Sequence, residues 1–239
     1  MKTKTSLVSF FSPFLLCGLF MVITNTQAAE PPRGGKVQWA RLMTNYPHWA
    51  RHTETEFFLL EYIRDNTTLD IDLRWAIADI NRMESLSRYP FVYAEGIQTV
   101  TNPVAQANLR EYLLRGGFLL IDACINVAVN PEPDVFLAGQ LLRMKEILPE
   151  ATITPIPPQH EIFKTYFELD RRPQSYMNNV YDPRWEKHPM YAVELDGRVV
   201  SIISLAALKC GWSFDVNPPE LRINSMKMMI NIYAFSLIH

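Results

Sequence analysis

Few side chains in this 239-residue sequence have the chemistry for a reaction or a ligand. Glu95 and Asp122 each follow a short apolar run, Phe91–Ala94 and Phe118–Ile121 respectively. Two carboxylates can divide acid and base roles if burial raises the pKa of one. Cys124 sits just past the second run and would be a nucleophile if His160 took its proton. However, Ala123, Ile125 and Asn126 stand where a strained nucleophile turn wants small flanking residues. His188 is followed by Pro189 and Met190, so a histidine with an acid two residues later is missing too. His48 and His52 have the spacing of two metal ligands on a helix face, but Pro47 and Trp49 favour an irregular loop there, and HExxH is absent. Arg115-Gly116-Gly117-Phe118 lacks the later glycine and lysine of a phosphate-binding loop. From these residues neither a metal nor a cofactor is expected.

The elements that must position these groups alternate between strand and helix. Val37–Met43 reads as a first strand, and Glu54–Arg64 as a helix with Thr53 as its N-cap. Ile71–Ile80 fits either period and is assigned a short strand beginning near Ile71. Phe91–Ala94 and Phe118–Ile121 read as parallel strands buried on both faces, joined by a helix that Asn102 caps, Pro103 opens and Gly116-Gly117 stops. Asp134–Ile147 makes another helix, and a proline-rich stretch from Pro149 to Pro158 leads into an irregular segment. Tyr191–Leu195 and Arg198–Ser204 flank Asp196-Gly197, a two-residue hairpin turn. Leu221–Leu237 is a final helix. This is the pattern of an α/β sandwich, a mostly parallel sheet with helices on both faces and a late β-hairpin.

In such a sheet ligands gather beyond the carboxyl ends of the strands. The residues there are Thr44, Asn45 and Tyr46 after the first strand, then Glu95 and Gly96, then Asp122, Cys124 and Asn126. Cys210, Trp212 and Asp215 follow the late hairpin.

Lys2 and Lys4, the apolar run Leu7–Ile23 and the small residues Thr26 and Ala28 form a secretory signal peptide over residues 1–28. Residues 29–35 are then a linker, and 36–239 a single domain. Export implies a periplasmic or secreted protein with no membrane span after cleavage. A net charge of −2 without a basic run argues against nucleic acid as a partner. Cleavage removes Cys17 and leaves Cys124 and Cys210, which either pair in an oxidising compartment or stay buried thiols.

Tyr89-Pro90-Phe91-Val92-Tyr93, Leu109–Asp122, Asp196-Gly197-Arg198 and Cys210-Gly211-Trp212 resemble the bacterial domain-of-unknown-function family 4159 over Lys36–His239. That family is similar to the class I glutamine amidotransferase-like superfamily and its trehalose-utilisation-type members. Gln159-His160-Glu161-Ile162-Phe163 resembles their His-Pro-Ile element, with Glu161 in place of the proline. The resemblance implies a flavodoxin-like three-layer sandwich and carries no established reaction.

Two functions follow as expectations. One is an exported, non-enzymatic binding or scaffold module that holds a small polar or carbohydrate-like ligand, or an envelope protein, in the strand-exit crevice. The other is a hydrolase of a small polar or sugar substrate acting through Asp122, Glu95 and His160. Convergence of those three side chains in one pocket favours the enzyme; a packed or dispersed arrangement favours binding.

Overall fold

The computed structural model describes residues 36–125 and 132–238. The leader, the linker and Asn126 lie outside the described residues. In chain order the elements are β1 (Ala40–Met43), α1 (Glu56–Asn66), β2 (Ala76–Asp79), α2 (Met83–Leu86), β3 (Phe91–Ala94), α3 (Pro103–Leu114), β4 (Phe118–Asp122) and α4 (Pro133–Ile147). They continue with β5 (Thr152–Pro155), β6 (Tyr176–Met177), β7 (Val180–Tyr181), α5 (Pro183–Glu186), β8 (Tyr191–Leu195), β9 (Arg198–Ser204), α6 (Leu208–Ser213) and α7 (Pro219–Ile238). The main sheet has seven strands in the order β2-β1-β3-β4-β9-β8-β5.

The two continuous apolar runs form the centre, as their composition requires. β3 and β4 pair in parallel, Phe91 against Phe118 through Ala94 against Ile121, and all eight residues are buried. β1 and β2 extend the sheet in parallel on one side and β9 on the other, which gives the flavodoxin order 2-1-3-4 followed by a fifth parallel strand. The direction of strand addition reverses between β1 and β3. β8 then runs antiparallel to β9, and β5 antiparallel to β8.

Local signals explain most boundaries. Asn102 accepts the Val104 N–H at 2.8 Å and Pro103 occupies the first turn of α3. Asp196 and Gly197 both have positive φ, 51° and 80°, which closes the β8–β9 hairpin with the twist that antiparallel strands need. Three expectations need correction. The second strand begins at Ala76 rather than near Ile71, which makes only an isolated bridge to Val37. Thr53 caps nothing: it opens a 3-10 turn over Thr53–Thr55, and α1 starts at Glu56 without a side-chain cap. The proline-rich stretch contains β5, which tolerates Pro155 because it is an edge strand.

Alternating side chains divide the core in two. One face packs on α2, α3 and α4 through residues such as Leu42, Val92, Leu119, Leu109 and Met144. The other face carries Trp39, Phe91, Tyr93, Leu120 and Ile202 and packs on α1 and α7. These layers make the flavodoxin-like three-layer sandwich.

Candidate functional site

At the carboxyl edge the second face turns from apolar to ionic. Arg41 lies in β1, beside Tyr93 of β3 in the register of the sheet. Its guanidinium donates to Glu56 Oε1 at 2.9 Å and to Glu95 Oε1 at 2.8 Å, and to the Arg51 carbonyl at 2.9 Å. It also donates to the Trp49 carbonyl. Lys209 of α6 reaches the same acceptors from above, with Nζ 2.8 Å from Glu56 Oε1 and 2.9 Å from the Arg51 carbonyl. Both cations stand over the Tyr93 ring, at 5.3 and 5.8 Å from its centre. Arg41, Glu56, Glu95 and Lys209 are each at most 3% exposed, so the network is sealed from solvent.

Asp122 ends β4 next to this network. Its Oδ2 accepts the Lys209 N–H at 3.1 Å, which fixes the start of α6. Burial pushes its pKa up to about 7 against the backbone bonds from Lys209 and Leu208 that favour the ionised form. Burial likewise raises Glu95 and lowers Lys209, although Arg41 and Lys209 pull Glu95 back down. Asp122 Oδ1 and the Oε2 atoms of Glu56 and Glu95 are buried without a hydrogen-bond partner among the described residues, so their desolvation is only partly offset. The Tyr93 hydroxyl is held well above its ordinary range, by burial first and then by Asp122 and Glu95.

Of the residues singled out from sequence, the structure brings Glu95, Gly96 and Asp122 to this edge. Gly96 has φ 141°, and a Cβ there would meet Gln98 Oε1 at 2.3 Å. Tyr46 is buried, with its N–H on Thr44 Oγ1, whereas Asn45 is exposed. Trp212 lies in the core and donates to the Thr55 carbonyl at 3.3 Å, where it fastens α6 to the start of α1. Asp215 is exposed and pairs with Arg222. His48 packs edge-on against Tyr46, and His52 stands beside Phe214 and Glu54.

His160 is not part of this edge. Its Nδ1 accepts the Ile162 N–H at 3.1 Å and its ring lies 5.6 Å from Phe235. Two residues before Phe235, Tyr233 packs on Phe91 at 5.0 Å, at the opposite end of β3 from Glu95. Glu95, Asp122 and His160 therefore do not converge. Cys124 and Cys210 do meet, with their Sγ atoms 4.0 Å apart, but as thiols rather than as a disulfide.

Sequence reasoning missed Arg41, Glu56 and Lys209. The signal was present, since Arg41 interrupts Trp39-Ala40-Arg41-Leu42-Met43 and Lys209 interrupts Ala206-Ala207-Leu208-Lys209-Cys210. A charge inside an apolar run must either reach solvent or have a buried partner.

A second missed feature is a cavity of about 580 Å³ between residues 168–176 and the first turns of α7. The segment is strapped to α7 by Asn231, which accepts the N–H groups of Tyr166 and Phe167 and donates to the Phe167 carbonyl. Ser175 Oγ ties the other end to the Leu205 carbonyl, just past β9. Arg172, at 9% exposure, donates to Ser175 Oγ and to the carbonyls of Pro173 and Trp185; burial lowers its pKa, and the charges of Glu186 and Asp122 oppose that shift. Glu168, Asp170, Arg171, Gln174, Tyr176, Glu220 and Asn224 complete the polar wall.

Fold and edge together define a flavodoxin-like α/β domain whose strand-exit charges are tied to one another, with an open polar cavity alongside. The chain belongs to the family described as Domain of unknown function (DUF4159), whose model matches residues 38–237. No curated protein matches the chain.

Proposed function

We propose that this protein is an exported, non-enzymatic binding module of the cell envelope, and that it holds a small carbohydrate-like ligand in the cavity beside the strand exits. The observation that carries this reading is the division of labour at that edge. Glu56, Glu95, Arg41 and Lys209 neutralise one another out of solvent, while the accessible polar side chains line the cavity. Carboxylates, guanidinium groups and amides present paired acceptors or donors that match neighbouring hydroxyls. Tyr176, its ring tilted against Tyr181 at 5.3 Å, adds an aromatic surface for the apolar side of a ring. Export rests on the N-terminal sequence, and a distant relation to trehalose-utilisation-type proteins on the motifs quoted above.

A thermal-shift screen of neutral mono- and oligosaccharides tests the ligand class, because a compound that binds only the native state raises its Tm. A hit should be lost in Asn224→Ala and Tyr176→Ala and kept in Asp122→Asn. Absence of any shift at millimolar sugar would overturn the carbohydrate reading. The hydrolase reading has one observation in its favour, the raised pKa of Asp122 beside Glu95. Turnover of aryl glycosides or acyl esters that disappears in Asp122→Asn would establish it instead.

A further inference from the structure

Two thiols at the carboxyl edge take no part in sugar binding. Cys124, just past β4, and Cys210, in α6, are each 4% exposed, and their sulfurs are 4.0 Å apart. The approach is built into the sheet. β4 pairs with β9 so that Asp122 stands opposite Ser204, and the chain then turns at Ala207, with φ 52°. Asp122 Oδ2 takes the Lys209 N–H, and the next residue, Cys210, is thereby laid against the exit of β4. A disulfide needs its sulfurs about 2 Å apart, so the two sulfurs must approach from their present 4.0 Å to bond.

We propose that Cys124 and Cys210 are a redox couple, oxidised to an intrachain disulfide by a disulfide-bearing oxidant and reopened by a dithiol. The first cysteine gives up its proton, attacks one sulfur of the oxidant's disulfide and displaces the other as a thiolate, which takes that proton. The second cysteine, also deprotonated, attacks the protein sulfur of this mixed disulfide. The Sγ–Sγ bond forms, and the remaining oxidant sulfur leaves as a second thiol. Two electrons pass to the oxidant, which ends as two thiols. The Cys210 thiol is held well above its ordinary range by its hydrogen bond to Cys124 and by burial, which disfavours its thiolate in the folded protein.

The bond would tie β4 to the wall of the cavity. Asn217 holds the carbonyls of Cys210 and Gly211 at 2.9 Å, and the chain passes from it directly into Pro218 and α7. Oxidation thus stiffens the side of the cavity that α7 provides.

The test is to refold reduced, denatured full-length protein in a glutathione buffer rich in the oxidised form, alkylate remaining thiols and map the peptides. A Cys124–Cys210 cross-linked peptide is expected, with Cys17 outside the pair. The oxidised protein should melt several degrees above the dithiothreitol-treated one, and Cys210→Ala should erase that difference. Alkylation of both cysteines, or glutathione carried on either, overturns the proposal. So does a redox-dependent Tm that persists in Cys210→Ala.

Discussion

Asp122 accepts the backbone N–H of Lys209 at 3.1 Å, so one buried carboxylate both ends the central strand and starts the helix that carries the second cation. Burial holds its pKa near 7 in the folded state, whereas in an unfolded chain it is about 3.9. The folded state therefore binds more protons between those values, and stability should fall as pH rises from about 4 to about 7. Glu95 contributes with the same sign, the lowered pKa of the buried Lys209 acts with the opposite sign, and Tyr93 does not ionise in this range. Asp122→Asn keeps the acceptor and should flatten the Tm profile over that window. An unchanged slope in the variant would place Asp122 in an ordinary, ionised state.

Arg41→Met should be among the most damaging single changes. It leaves Glu56 and Glu95 facing Lys209 alone in a sealed site, and breaking a buried pair typically costs about 3–5 kcal/mol. Adding Glu95→Gln removes the excess charge, so the double variant should recover part of the loss. Urea titrations of the single and double variants measure this. Strictly additive losses would show that Arg41 and Glu95 are not coupled.

Leu120 is fully buried and lies in register between Tyr93 and Ile202. Leu120→Asp places an unpaired charge at the centre of the sheet, at a cost of several kcal/mol. Calorimetry should show a large fall in Tm or no folded protein at all. A melt within about two degrees of wild type would contradict the interior position of β4.

Protein recovered from the cell envelope should begin at Ala29, with residues 1–28 removed after the small residues Thr26 and Ala28. Intact-mass measurement decides this. A terminus at Met1 or Lys2 would show that the leader is kept.

The parts of the fold legible in the sequence are those whose cause is local. Phe91–Ala94 and Phe118–Ile121 are apolar without interruption because helices cover both faces, and Asn102-Pro103 and Asp196-Gly197 encode their cap and turn in adjacent residues. The ionic site was only half legible. Glu95 and Asp122 follow from the strand-exit rule, but Arg41 finds Glu95 across 54 positions and Lys209 finds Glu56 across 153. Pairing over such distances has no periodicity to betray it. The cavity was hidden for a similar reason, since Asn231 straps residues 166–167 onto α7 from far along the chain. β5 was obscured by Pro155 and the prolines that flank it, and an edge strand accepts a proline where an interior strand does not.

The order of strands also sets when the domain can close. The face of β1, β3 and β4 that bears Trp39, Phe91 and Tyr93 is covered by α7, where Tyr233 lies 5.0 Å from Phe91 and 6.5 Å from Trp39. β4 must likewise wait for β9 before its second edge is paired. The N-terminal half can form its strands and lay α1 over part of this face, but the rest is covered only when the C-terminal helix arrives. Contacts of such long sequence separation form late and slowly. The face that α7 covers is therefore the last part of this core to be completed as the chain is made.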